Sequence, residues 1–140
     1  MSETSPLASL SPGDELPEQT YTVTRADLVR YAGASGDFNP IHWSDRVAGS
    51  VGLPGVIAHG MYTLALAARA LDTWSGGPGH VHELGAKFTK PVVVPDDATG
   101  VDVVVRGTVK NVTDEGVQVA LEVTCGGEKV LGQPRAVLHA

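Results

Sequence analysis

The stretch that decides the fold is Ala58-His59-Gly60-Met61-Tyr62-Thr63-Leu64-Ala65-Leu66-Ala67-Ala68-Arg69-Ala70-Leu71-Asp72-Thr73-Trp74. Met61, Leu64, Ala65, Ala68 and Leu71 recur at spacings of three and four, which is the helical period. The remaining faces (Ala58, Leu66, Ala67, Ala70) are also small and apolar. A helix that is apolar on most sides is normally buried. The pattern therefore predicts a helix over about 58–74 that lies inside the fold, covered by a sheet.

On the C-terminal side the period changes from helix to strand. Val81-His-Glu-Leu-Gly-Ala-Lys-Phe-Thr alternates imperfectly before Pro91, and Val101-Asp-Val-Val-Val-Arg-Gly-Thr-Val is rich in β-branched residues. Val117-Gln-Val-Ala-Leu-Glu-Val-Thr-Cys alternates almost strictly and is followed by Gly126-Gly127, a two-residue hairpin turn. A second turn is expected at Asp114-Glu115-Gly116, and two last short strands at Lys129–Gly132 and Arg135–Leu138. On the N-terminal side, residues 1 to about 18 hold three prolines and predict an irregular lead-in. Tyr21–Thr24 reads as a short strand. Thr24 followed three residues on by Asp27 is a capping signal for a short helix through Ala32 that ends near Gly33. Another short helix is expected through Ala48. One buried helix with a run of antiparallel strands is an α+β architecture, and a length of 140 residues fits a single domain over 1–140.

Composition narrows the function. The formal net charge is -6 and no Lys/Arg cluster is present, which argues against nucleic acid. No run of eighteen apolar residues occurs, so no ordinary membrane-spanning helix is expected. The first residues, Met-Ser-Glu-Thr-Ser-Pro, lack the basic and apolar blocks of a secretory signal, and residence in the cytoplasm is the expectation. Cys125 is the single cysteine; no intrachain disulfide is available, and its apolar strand context predicts an inert thiol.

The chemistry-bearing residues cluster in Tyr31-Ala-Gly-Ala-Ser-Gly-Asp37-Phe-Asn39-Pro40-Ile-His42. An acid, an amide and an imidazole lie within six residues, and Pro40 stiffens the loop by fixing its own φ and extending Asn39. His42 can give or take a proton near neutral pH, and Asp37 can activate a water or orient the imidazole. The same residue types also serve as turn formers, and His42 as a helix cap, so composition leaves both readings open. Gly60 opens the long helix, where free backbone N–H groups carry partial positive charge. Its N–H is a candidate donor to a developing oxyanion, and close helix packing is the competing role for a glycine there.

Taken together, Tyr31–His42 and His59-Gly60-Met61 resemble the signature of the MaoC-like (R)-specific hydratases and dehydratases. The resemblance extends to Pro40-Ile-His-Trp43 and Lys87-Phe-Thr-Lys-Pro91. Within that family the chain is most similar to the catalytic subunits of (3R)-hydroxyacyl-carrier-protein dehydratases of mycolic-acid-type fatty acid elongation. The resemblance implies a single hot-dog domain, in which a long central helix is wrapped by a curved antiparallel sheet. It implies reversible syn dehydration of a (3R)-3-hydroxyacyl thioester, on coenzyme A or an acyl carrier protein, to the trans-2-enoyl thioester. Asp37 and His42 would be catalytic, Asn39 and Gly60 would bind substrate or water, and neither cofactor nor metal would be needed. It further implies a hot-dog dimer, either a homodimer or a heterodimer with a subunit that lacks the acid–imidazole pair.

Two rivals remain at this point. One is a non-catalytic hot-dog subunit that binds acyl chains or acts as a scaffold, against which stands the intact Asp37/His42 pair. The other is a hot-dog thioesterase, which would need a carboxylate on the central helix, and none occurs between Ala58 and Ala70. His80, His82 and His139 have no zinc-like spacing, and His139 is expected at the surface. Trp43 and Trp74 are expected to be buried packing residues, with an acyl-tunnel lining as the alternative.

Overall fold

The computed structural model describes residues 6–140, so the first five residues of the expected lead-in lie outside the described part. A 3-10 turn at Pro6–Ser9 leads into strand β1 (Glu15–Val23) and helix α1 (Arg25–Ser35). A second 3-10 turn (Pro40–His42) and helix α2 (Asp45–Ser50) precede the long helix α3 (Gly60–Ser75). Five strands follow: β2 (Val81–Phe88), β3 (Val101–Thr113), β4 (Gly116–Cys125), β5 (Glu128–Lys129) and β6 (Leu131–Leu138). They form one antiparallel sheet in the order β1-β3-β4-β6-β2, with β5 as a short hairpin partner of β4. Helix α3 lies against it. This is the α+β hot-dog arrangement.

Alternation sets the inner face of the sheet. Val103, Val105 and Val109 of β3 and Val117, Val119, Leu121 and Val123 of β4 are buried, while Arg106, Lys110 and Gln118 between them are exposed. Gly107 continues the buried row of β3 and makes room for the helix: a Cβ there would meet the Trp74 ring at 2.8 Å. Trp74 is buried as expected, and its Nε1–H donates to the Pro17 carbonyl at 2.7 Å.

The helix turns inward mainly the face outside the row of Met61, Leu64, Ala65, Ala68 and Leu71, Leu71 being the one member of that row that is buried. Its buried residues are Thr63, Leu66, Ala67, Ala70, Leu71, Trp74 and Ser75, whereas Met61 is 57% exposed and Ala65 is exposed. Two apolar rows run along α3, and the polar residues decide between them. Arg69 lies four residues from Ala65 and eight from Met61, so that row must face out. The helix is thus covered on one side only within this chain.

Two strand boundaries also differ from expectation. β1 begins at Glu15, inside the expected lead-in, and shifts register between Leu16 and Gln19, around Pro17. An edge strand tolerates a proline at such an irregularity. β6 is continuous through Pro134 where two strands were expected. The residue before it, Gln133, takes a positive φ of 48°, opposite a register shift in β2 between Gly85 and Lys87. Trp43, expected to be buried, is 55% exposed, because its indole N–H is held at the surface by the Phe38 carbonyl at 3.0 Å. Cys125 is partly buried, and burial pushes its thiol pKa up, in keeping with an inert sulfur. Among the described residues no helix is long and apolar enough to cross a membrane.

Candidate active site

The site loop is fixed at both ends. The Thr24/Asp27 capping box is complete, with Asp27 N–H on the Thr24 hydroxyl and Thr24 N–H on the Asp27 carboxylate at 2.9 Å. It starts α1 one turn earlier than the apolar residues alone suggest. The helix ends at Gly36, whose φ of 75° reverses the chain into the loop. From there Asp37 Oδ1 accepts the Asn39 N–H at 3.2 Å, and Asn39 Oδ1 accepts the Ile41 N–H at 3.2 Å. These two side chains wind the 3-10 turn that carries His42 inward.

A second set of bonds seats the turn against the body. Ile57 N–H donates to Ile41 O at 3.2 Å, Ala58 N–H to Val92 O at 2.9 Å and Val94 N–H to Val56 O at 2.9 Å. Asp45 Oδ1 accepts from Val56 N–H at 3.1 Å and from the Arg25 guanidinium at 2.9 Å. Arg25 in turn donates to Val94 O. The Arg25 hydrogen bond, followed by the Val56 N–H, holds the Asp45 carboxyl below its usual range.

His42 is buried, and its Nδ1 lies 2.7 Å from the Ile57 carbonyl oxygen. A carbonyl only accepts, so Nδ1 carries a proton, and in the neutral ring Nε2 then holds the lone pair. Nε2 faces Asp37 Oδ2 at 3.9 Å. That separation is too long for a direct hydrogen bond and leaves room for a water to bridge the two. Asp37 is half exposed, with its other oxygen already committed to Asn39.

His42 and Gly60 open on one cleft of about 370 Å³, whose apolar lining includes Leu53, Ile57, Phe88, Val92 and Leu131. The first helical hydrogen bonds of α3 are those of Tyr62 and Thr63 N–H to His59 O, so the Gly60 N–H lies ahead of the ladder. Asn39, like Asp37, is not part of the cleft lining. Its side-chain oxygen is used in capping, which gives it a role in shaping the loop. Two larger hollows, of about 740 and 770 Å³, lie over the exposed strand surface around Glu83 and Gln118, away from the acid–imidazole pair.

One residue at the site is legible in the sequence only as part of the His59-Gly60-Met61 motif, with no role attached. His59, only 2% exposed, stacks on His42 with ring centroids 3.8 Å apart and planes at 21°. Its Nε2 donates to the Asp37 carbonyl at 3.1 Å. Burial, foremost, holds its pKa below the ordinary 6.5. Asp37, His42 and His59 together offer three ligand atoms within 4.8 Å of one another. A cation does not fit this set. Imidazole lone pairs lie in the ring planes, and two stacked rings cannot aim them at one ion about 2.0–2.1 Å from each.

A long helix packed on an antiparallel sheet, with Asp37 and His42 near the helix N-terminus, defines the class as a hot-dog domain. The family described as "MaoC like domain" matches residues 9–126, and the chain belongs to it. A "3-hydroxyacyl-thioester dehydratase X" from Mycobacterium tuberculosis is 38% identical over 82 residues, which cover 59% of this chain and 28% of that protein. Among solved structures, one described as "MaoC-like dehydratase" superposes with a TM-score of 0.90 at 36% identity, covering 95% of this chain and 41% of that one. The unliganded R-hydratase PhaJ1 from Pseudomonas aeruginosa gives a TM-score of 0.82 at 31% identity, covering 96% and 84% respectively. The chain thus spans less than half the length of the first two of these.

Proposed function

We propose that this chain catalyses the reversible syn addition of water to trans-2-enoyl thioesters, giving (3R)-3-hydroxyacyl thioesters, in fatty acid metabolism. The observation that carries the reading is the 3.9 Å gap between Asp37 Oδ2 and His42 Nε2. A water held there is polarised from two sides. In hydration its oxygen bonds to C3 while one proton leaves it for the pair, and the pair returns one proton to C2. Dehydration runs the same steps backward. The proton transfers are assigned to the pair rather than to either residue. The negative charge that reaches the thioester oxygen is met by the Gly60 N–H at the positive end of α3. The thioester itself acidifies C2, so no cofactor is required.

The apolar cleft takes the acyl chain, carried on coenzyme A or an acyl carrier protein. A second hot-dog chain, identical or related, is the partner that completes the site. Supporting this are the sheet edge at β2, the exposed apolar side chains of Phe38, Met61 and Phe88, and the open flank of Asp37. The reading places the enzyme in the cytoplasm. The thioesterase alternative lacks a carboxylate on α3 at the cleft; Asp72 sits at the opposite end of the helix.

The test is loss of enoyl absorbance from crotonyl-coenzyme A with the purified chain, beside the Asp37→Asn and His42→Ala variants. Each variant is expected to lower turnover about a hundredfold or more with the fold intact. Wild-type rates in either variant refute the assignment. If the chain alone is silent, adding a companion hot-dog chain and longer acyl substrates is expected to restore turnover, and continued silence refutes it.

A further inference from the structure

His59 sits where a purely structural residue would be a poor choice. Its Nε2–H is spent on the Asp37 carbonyl, so Nδ1 carries a lone pair, and that atom is buried with no hydrogen-bond partner among the described residues. It holds the N-cap position of α3 yet makes no side-chain cap bond. An unsatisfied buried nitrogen is destabilising, and an apolar side chain of similar size would fill the space without that loss. Its contacts instead lead to the reacting pair. One edge of the ring grips the main chain of Asp37, and its face lies on the ring of His42. On the remaining side Tyr31 meets it edge-on at 4.7 Å and is itself packed edge-on by Tyr62 at 5.3 Å.

We propose that His59 is the positioning residue of the Asp37/His42 pair, a neutral imidazole that locks the acid's backbone and the base's ring plane into one rigid unit. The inference rests on the hydratase reading above. Asp37 stands on a surface loop and His42 on the adjacent 3-10 turn. His59, at the mouth of α3, joins both to the helix that also presents the Gly60 N–H. A rigid link of this kind sets the 3.9 Å gap in which the water is held. A misplacement of about 1 Å in such a gap can lower turnover about a hundredfold.

Two variants separate the ring's two contacts. His59→Phe keeps a flat ring against His42 and removes the N–H that holds Asp37. His59→Gln restores a donor near the Nε2 position. His59→Phe is expected to lower kcat for crotonyl-coenzyme A hydration at least tenfold, to leave KM within about twofold, and to keep or raise the thermal midpoint. His59→Gln is expected to recover part of the lost kcat. A residue that only packs would not give a protein that is equally stable and slower in kcat alone. Wild-type kcat in His59→Phe, or a kcat loss matched by a lowered thermal midpoint in both variants, overturns the proposal. A turnover-independent measurement keeps it distinct from the hydratase reading. In 15N-labelled protein the His59 ring is expected to show a slowly exchanging Nε2–H, and the His42 ring signals are expected to shift in His59→Phe. If the wild type hydrates no thioester but both signals behave so, the reaction is wrong and the link stands. If turnover is present and the Nε2–H is absent, the link is wrong and the reaction stands.

Discussion

Gly60 can be tested by deleting its N–H without deleting its place in the helix. Gly60 is the first residue of α3, the position at which proline is best tolerated. The preceding residue, His59, already has φ −58° and ψ 133°, the extended region that a following proline demands. Gly60→Pro therefore removes the proposed oxyanion donor with little disturbance of the backbone. It does add a Cβ, which would meet three ring atoms of Phe88 at 3.0–3.1 Å. Phe88 is 58% exposed, so its ring can swing aside. Gly60→Ala adds the same Cβ and keeps the N–H, and so isolates the steric effect. Loss of one oxyanion donor costs about 2.7–4 kcal/mol in the transition state, or about 10²–10³ in kcat. The expected result is a Gly60→Pro enzyme about two to three decades slower than Gly60→Ala in crotonyl-coenzyme A hydration, with similar thermal midpoints. Equal kcat values for the two folded variants would refute the donor role and leave Gly60 as a packing residue under Phe88.

Two further outcomes follow from burial. The unfolded His59 imidazole titrates near 6.5 and the folded one below it, so between these values the unfolded chain binds more protons. The stability that neutral His59 contributes is complete above about pH 6.5 and is lost as pH falls through the folded value. Thermal midpoints measured between pH 7.5 and 5 should fall more steeply in the wild type than in His59→Phe, and identical slopes contradict the burial argument. Asp45, also held below its ordinary value of 3.8, loses its contribution only at lower pH, which keeps the two windows apart. At Gly107 an added Cβ would sit 2.8–2.9 Å from Trp74 and 3.2 Å from Leu16. Overpacking of this kind costs about 1–3 kcal/mol, so Gly107→Ala should lower the thermal midpoint by several degrees; an unchanged midpoint shows that the Trp74 ring moves freely.

Much of the architecture is legible in the sequence because it is written in local chemistry. The Thr24/Asp27 capping box, the Gly126-Gly127 turn and the alternating Val117–Val123 row each specify their structure within a few residues. What was misread depends on neighbours distant in the chain. α3 carries two apolar rows, and the one containing Leu66, Ala67 and Ala70 is turned toward the sheet, which the helix meets at β1, β2 and β3. The segment Glu15–Gln19 reads as lead-in because of Pro17 and its charges, yet an edge strand has a solvent side that accepts both. Trp43 reads as core by size, and its N–H keeps it at the surface.

The site divides in the same way. Asp37 and His42 are six positions apart inclusive in a stiff loop, so their meeting is a local event. Asn39 is equally local, but its side-chain oxygen could serve either ligand or backbone, and the fold uses it for the Ile41 N–H. His59 lies 17 residues beyond His42, and its stacking on that ring depends on how Ile57 and Ala58 are pinned to Ile41 and Val92. The signal available in the sequence was a histidine at the opening of an otherwise apolar helix, directly before the glycine.

The central claim is that one water, held between Asp37 and His42, supplies both the hydroxyl and the exchanged proton from one side of the substrate. The most direct measurement is the hydration of crotonyl-coenzyme A in deuterium oxide, with the configuration at C2 and C3 read by proton NMR. A (3R) product carrying one deuterium at C2, on the same face as the new hydroxyl, is the predicted result. Anti addition, a (3S) product, or deuterium scrambled over both C2 positions at early conversion contradicts it.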